Sequence, residues 1–201
     1  LKIVVDGINS IGAHAVPKLL NALGVENVRV IFEEMSGDFS HNPEPLPEHL
    51  TELSNIVRRE QADLGIAVDP DVDRRAFVRE DGEPFGEEYT LVAVADYVLG
   101  NTPGSTVSNI SSSRALGEVT RSHGQTHYSS AVGEVNVVQK MREVDAVIGG
   151  EGNGGIIYPE SHHGRDALVG IALFLSHLAQ EKKSISALSA GYPKYIMSKQ
   201  K

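Results

Sequence analysis

Short apolar runs alternate with amphipathic stretches along the whole chain. LKIVVD (1–6) is a nearly continuous apolar run of the length expected for a buried strand. Ala15, Val16, Leu19, Leu20 and Leu23 then recur at helical spacing, and Gly24 closes the pattern. A strand is predicted over VRVIFEE (28–34), followed by an irregular loop holding Pro43, Pro45 and Pro47. Leu50, Leu53, Ile56 and Val57 define one face of a further helix, and GIAV (65–68) reads as the next buried strand. AFVRE (76–80), an Asp81-Gly82 turn and EPFG (83–86) read as a hairpin. Tyr89, Leu91, Val94, Ala95 and Val98 predict a helix ending near Gly100.

NTPGS (101–105) then interrupts the periodicity with Pro and Gly. Beyond it the alternation begins again. Strands are predicted at STVSNI (105–110), QTHYSS (125–130), DAVIGG (145–150) and GGIIYPE (154–160). Helices are predicted at RALGEVTRSHG (114–124) and NVVQKMREV (136–144). Asp166 is placed as the N-cap of a long helix carrying Ala167, Leu168, Ile171, Leu175 and Leu178. Two βαβαβ-like cycles predict two consecutive α/β/α domains with mostly parallel sheets, residues 1–101 and 102–201. The two cycles share pattern, with no close sequence repeat.

Composition narrows the function classes. The 201 residues carry a net charge of −9, with 27 acidic against 18 basic side chains, the opposite of a nucleic-acid footprint. The absence of cysteine excludes disulfides, thiolate zinc sites and a Cys nucleophile, and fits the reducing, cytoplasmic setting we expect. ALVGIALFL (167–175) is far shorter than the roughly 20 residues a membrane helix needs, so no membrane role is expected. The first residue is Leu rather than Met, and YPKYIMSKQK closes the chain as a polar tail. The expectation is a piece of a longer protein.

Two stretches carry candidate chemistry. Asp69, Asp71 and Asp73 alternate directly after an apolar strand, with Arg74 and Arg75 behind them. Like charges this close need compensation, and converging carboxylates at a strand end suit a hard divalent ion such as Mg2+. The competing reading is a solvated acidic turn neutralised by the two arginines. An EF-hand loop fails, because Arg74 stands where the sharp turn needs Gly and a strand precedes it. A haloacid-dehalogenase-like phosphatase matches through Asp71 and then departs at Asp73. The second stretch is Gly149 to Gly155, five glycines around Glu151 and Asn153. So little bulk lets a ligand approach the backbone, and a carboxylate beside an amide suits the hydroxyls of a sugar. A flexible hairpin tip is the alternative.

Other motifs are weaker. Gly7 to Gly12 has P-loop glycine spacing without the Lys and Ser/Thr that touch phosphate, so it reads as a structural turn. His41-Asn42-Pro43 lies in a Pro-rich loop with no acidic neighbour in sequence, and His162-His163 reads as a surface turn before a helix. Arg165, just after them, is within reach of a phosphate or an acidic neighbour. No serine has a persuasive His partner, and G-x-S-x-G is absent.

Together, DPDVDR and GEGNG resemble the metal loop and the sugar loop of the α-D-phosphohexomutases, with VVDGINSIG, SAVGEVNVVQKM and GRDALVGIALFL in agreement around them. The resemblance implies the second and third domains of such an enzyme. It implies interconversion of hexose 1-phosphate and 6-phosphate through a phosphoserine and a bisphosphorylated sugar. Carried over, Asp69, Asp71 and Asp73 are the Mg2+ ligands, Arg74 steadies the transferring phosphoryl group, and Glu151 and Asn153 hold sugar hydroxyls. Glu134 lies in a segment that contributes to the family site. Pro70 and Val72 replace glycines of the family metal loop, and Gly155 stands where many members have His. The phosphoserine domain and the fourth, phosphate-gripping domain are not in these residues, so they are implied partners within the same protein. A hexose phosphate is the implied substrate, and the piece alone is expected to be inactive. A non-catalytic sugar-phosphate or metal-binding module is the alternative from a different class.

Overall fold

In the computed structural model, which describes residues 1–195, the two cycles form two four-stranded sheets with helices packed on them. The first contains β1 (Lys2–Asp6), β2 (Asn27–Ile31), β3 (Leu64–Val68) and β4 (Arg75–Arg79), ordered β2-β1-β3-β4. The second contains β5 (Ser105–Asn109), β6 (His127–Ser130), β7 (Ala146–Gly150) and β8 (Ile156–Ile157), ordered β6-β5-β7-β8. In each sheet the first three strands of the cycle are parallel and the last is antiparallel at one edge. All five residues of β3 are buried, as a strand covered on both faces requires.

The helices are α1 (Gly12–Ala22), α2 (Thr51–Glu60), α3 (Glu87–Asn101), α4 (Ala115–Ser122), α5 (Glu134–Glu143), α6 (Ala167–Glu181) and α7 (Ile185–Ala190). A single 3-10 turn, Pro47–His49, leads into α2. Helix α3 packs on β4 of the first sheet and on α4, α6 and β7 of the second half. One apolar cluster therefore runs through both halves, from Ile3, Ile66 and Phe77 to Leu91, Ile148 and Phe174. The Phe77 and Phe174 rings stack at 4.1 Å, and Phe85 meets Phe174 edge-on at 5.1 Å. Aromatic pairs of this kind contribute about 1 kcal/mol each beyond the area they bury.

Asp166 caps α6 as its position suggests: its backbone is extended and its side chain accepts from Val169 N at 3.0 Å. Three expectations change. The strand over 28–34 stops at Ile31, because Phe32 turns to φ 51°. The hairpin after β4 returns through a single bridge, Val78 to Pro84, made by Arg79 N donating to Glu83 O and Phe85 N donating to Phe77 O, before the chain turns away at Gly86 with φ 99°. GGIIYPE contributes two strand residues, Ile156–Ile157. Helix α7, capped by the Ser184 side chain, lies in a run of small residues with too little apolar contrast to announce it. Among the described residues no helix is long and apolar enough to cross a membrane. Residues 196–201 of the predicted tail lie outside the described residues.

In each sheet the chain leaves the first parallel strand toward one side and returns on the other. Crevices at such reversals, beyond the carboxyl ends of the strands, are where open α/β sheets hold ligands. Asp6 and Asp69 stand at this position in the first sheet, and Asn109 and Glu151 in the second.

Candidate active site

The acidic loop is built around Asp69, which follows β3 and is 1% exposed. Its Oδ1 accepts from the backbone N of Asp73 at 3.0 Å and of Arg74 at 2.9 Å. Its Oδ2 accepts from Arg74 Nε at 2.7 Å. Burial alone would raise the Asp69 carboxyl, but the hydrogen bonds from Arg74 and Asp73 outweigh it and hold the group below its ordinary value. Asp71 is exposed and Asp73 half-buried. One carboxylate oxygen from each of Asp69, Asp71 and Asp73 lies within 4.8 Å of the others. Burial and the neighbouring Asp69 push the Asp73 carboxyl up to about 6, with Asp71 adding to the rise and Arg165 opposing it. Hence the loop gathers more negative charge than its own cations compensate.

Between the acids, Val72 holds φ 61°, a left-handed conformation that is an outlier for a β-branched residue. Such a residue costs about 1–3 kcal/mol. Here the side chain is buried in the shared core and the carbonyl accepts from Ala167 N at 3.0 Å, which offset that cost. Pro70 O accepts from Ser10 Oγ at 2.8 Å, tying the loop to the turn after β1. Arg74 also reaches Glu44 Oε1 at 3.0 Å.

The glycine-rich loop follows β7. Glu151, 5% exposed, accepts at Oε1 from Asn109 Nδ2 (2.8 Å) and Gly133 N (3.3 Å). Its Oε2 accepts from Asn153 Nδ2 and from Arg165 Nη1, both at 3.4 Å. Asn153 Oδ1 in turn accepts from Gly155 N at 3.1 Å, and Ser112 Oγ accepts from Gly152 N at 3.1 Å. Glu151 and Asn153 thus face one cavity of about 190 Å³, lined also by Asn109, Ser111, Val132 and Gly152. A larger hollow of about 560 Å³ lies beside α5, around Val135, Val138 and His163.

The two loops meet. Arg74 and Gly155 form an antiparallel bridge, and Arg75 Nη1 donates to Gly154 O at 2.7 Å. Gly154 has φ 87°, and a Cβ there would overlap the Arg75 carbonyl oxygen, so glycine is required at this crossing. Arg75 itself is fully buried and packs on Gly170; burial lowers its guanidinium to about 9, with Asp166 and Asp69 opposing the shift. Arg165 pairs with Asp73 across the junction.

All six residues singled out from sequence therefore border one junction: Asp69, Asp71, Asp73 and Arg74 on one side, Glu151 and Asn153 on the other. Asn109, Gly133 and Arg75 were not legible as site residues. Asn109 carried a faint signal, a polar residue at the carboxyl end of a buried strand. His41 does find an acid, Asp6, at 2.9 Å, supplied by β1 rather than by sequence neighbours. His162 pairs with Asp166 at 2.9 Å on the surface before α6. The Gly7–Gly12 turn is held by Ile8 N donating to Asp6 Oδ1 at 3.0 Å and by its own backbone.

Residues 1–82 match the model of phosphoglucomutase/phosphomannomutase α/β/α domain II, and residues 86–195 match that of domain III. The chain belongs to the phosphoglucomutase/phosphomannomutase family. It is 37% identical over 197 residues to a probable phosphoglucosamine mutase of Methanopyrus kandleri, covering 97% of this chain and 43% of that protein. A phosphoglucomutase/phosphomannomutase family protein of Burkholderia thailandensis superposes with a TM-score of 0.87 at 29% identity, covering 98% of this chain and 43% of that one. An N-acetylphosphoglucosamine mutase of Aspergillus fumigatus, solved with GlcNAc-6P and magnesium, shares the fold at 13% identity, with a TM-score of 0.67 over 96% of this chain and 49% of its own. This family member thus spans less than half the length of such relatives. The match to both family domains sets aside the haloacid-dehalogenase-like alternative.

Proposed function

We propose that the chain supplies the metal loop and the sugar loop of a phosphohexomutase that interconverts hexose 1-phosphate and 6-phosphate. The observation that carries this reading is the junction itself, where Arg74 bridges Gly155 and Arg165 links Asp73 of the acidic loop to Glu151 of the glycine-rich loop. A sugar hydroxyl held at Glu151 and Asn153 sits beside the group of charges at which a phosphoryl group would be transferred.

The donor set fits Mg2+. Three carboxylates converge, all of them hard oxygen donors, and the raised Asp73 carboxyl marks charge that a dication relieves. Asp69, Asp71 and Asp73 would hold the ion, which when bound neutralises charge on the phosphoryl oxygens. Arg74, oriented by Asp69 and Glu44, stabilises the same developing charge from the protein side. Glu151 and Asn153 orient the sugar, accepting from and donating to its hydroxyls. The phosphoryl group would pass from a phosphoserine in another domain to the sugar hydroxyl and return from the second position of the bisphosphate. The cavity here is smaller than the roughly 300–1,000 Å³ of usual ligand sites, which fits a site completed by further domains.

The test is turnover of the full-length protein on the 1-phosphates of glucose, mannose and glucosamine, with and without EDTA. Mg2+-dependent conversion to a 6-phosphate is expected, and none from the 201-residue chain alone. No turnover on any of the three would favour a sugar-phosphate-binding module instead.

A further inference from the structure

Arg165 reaches a carboxylate of each loop. Its Nη2 pairs with Asp73, and its Nη1 donates to Glu151 at 3.4 Å. Its backbone is fixed independently, by a bridge to Ile157 and by its N–H donating to Glu134 Oε1 at 3.0 Å. The Nε lies 3.2 Å from Glu134 Oε2 without making a hydrogen bond to it, so this buried donor is left over. The stem of the side chain crosses Gly155, where an added Cβ would come within 2.5 Å of Arg165 Cδ. Glycine at 155 thus makes the room that Arg165 occupies.

We propose that Arg165 is a positioning residue that couples the metal loop to the sugar loop. One guanidinium serves three acids, Asp73 from the first half of the chain and Glu134 and Glu151 from the second. Whatever weakens its hold on Asp73, a divalent cation at the three aspartates included, frees it to shift toward Glu151 and the cavity. By linkage the reverse also holds: a ligand that engages Glu151 alters the charge at Asp73. The substrate meaning of this coupling rests on the proposed function, but the coupling itself does not.

Hydrogen exchange on the 201-residue chain tests it, comparing wild type, Asp73→Asn, Arg165→Gln, Arg165→Lys and the double variant Asp73→Asn/Arg165→Gln. Asp73→Asn is expected to change amide exchange at 151–157 by roughly fivefold or more, the scale of a modest coupling free energy. Arg165→Gln should change it at both 69–74 and 151–157, and Lys should restore part of the protection. The double variant should match Arg165→Gln alone. Unchanged exchange at 151–157 in Asp73→Asn, or additive effects in the double variant, would overturn the proposal. Exchange within β1 and α3 reports whether each variant is folded, and if Arg165→Gln is not, Asp73→Asn and Arg165→Lys decide. Absence of mutase activity in the full-length protein would sink the proposed function and leave this result standing.

Discussion

The two loops at the junction use the same residue type in opposite ways. Glu151 is buried with four donors around its oxygens, and burial is matched by partners. The acidic loop satisfies Asp69 in the same manner, yet leaves Asp71 exposed and Asp73 raised to about 6 by burial and by Asp69. A carboxylate fixed at one oxygen by Asn109 and Gly133 and met at the other only by 3.4 Å contacts keeps that second oxygen open to a hydroxyl. A carboxylate crowded by its own kind is an unfinished charge balance. Position at the end of a buried parallel strand is common to both loops, so location alone does not separate orienting from ion-binding acids. Their donors do.

Substitutions can break or sharpen that contrast. The largest effect is expected from Asp69→Ala, which strips the acceptor from two backbone N–H groups and the partner from Arg74. A loss of about 3 kcal/mol is expected in denaturant unfolding, together with loss of any Mg2+ response. Glu151→Gln should cost about 2 kcal/mol, because an amide cannot accept at both ends from the donors that now surround it. In the full-length protein its effect should fall mainly on KM for the sugar phosphate.

The pH responses of the two halves should also differ in sign. Burial lowers His127 of β6 to about 4 from an ordinary 6.5, with Arg121 adding to the shift. Its contribution to stability is therefore present above pH 6.5 and lost as pH falls toward 4. Asp73 runs the other way, contributing most below its ordinary 3.8 and losing that contribution as pH rises through about 6. Thermal midpoints between pH 4 and 8 should show His127→Gln flattening the acid-side loss. They should also show Asp73→Asn gaining relative to wild type above pH 6. This last change is the smallest, within about 0.5 kcal/mol of wild type near pH 7. A clear destabilisation by Asp73→Asn would show that its pairing with Arg165 outweighs its repulsion by Asp69 and Asp71.

Much of this was legible along the chain, for reasons that differ by element. Three of the parallel strands are short, largely apolar and punctuated by Gly or Asp, so β1, β3 and β7 announce themselves. The six site residues lie in two local motifs, which sequence carries intact. What sequence hid was nonlocal. Asn109 meets Glu151 across 42 positions and Arg75 meets Gly154 across 79, pairings that only the sheets create. Arg165 was legible as a cation able to reach an acid, but not that the acid would be Asp73 of the other half. The edge strand β8 was overestimated because Ile156 and Ile157 are apolar for the sake of the core rather than of a longer ladder.

Helix α3 has one more consequence. Because it is wedged between the two sheets, and the Phe77–Phe174 stack crosses the same interior, neither half has a complete apolar interior without the other. The pair should melt in a single cooperative transition, with calorimetric and van't Hoff enthalpies in agreement. Evolution then has one heritable block to keep or discard, and a gene split between residues 82 and 86 would yield two polypeptides that must find each other before either can hold its loop in place.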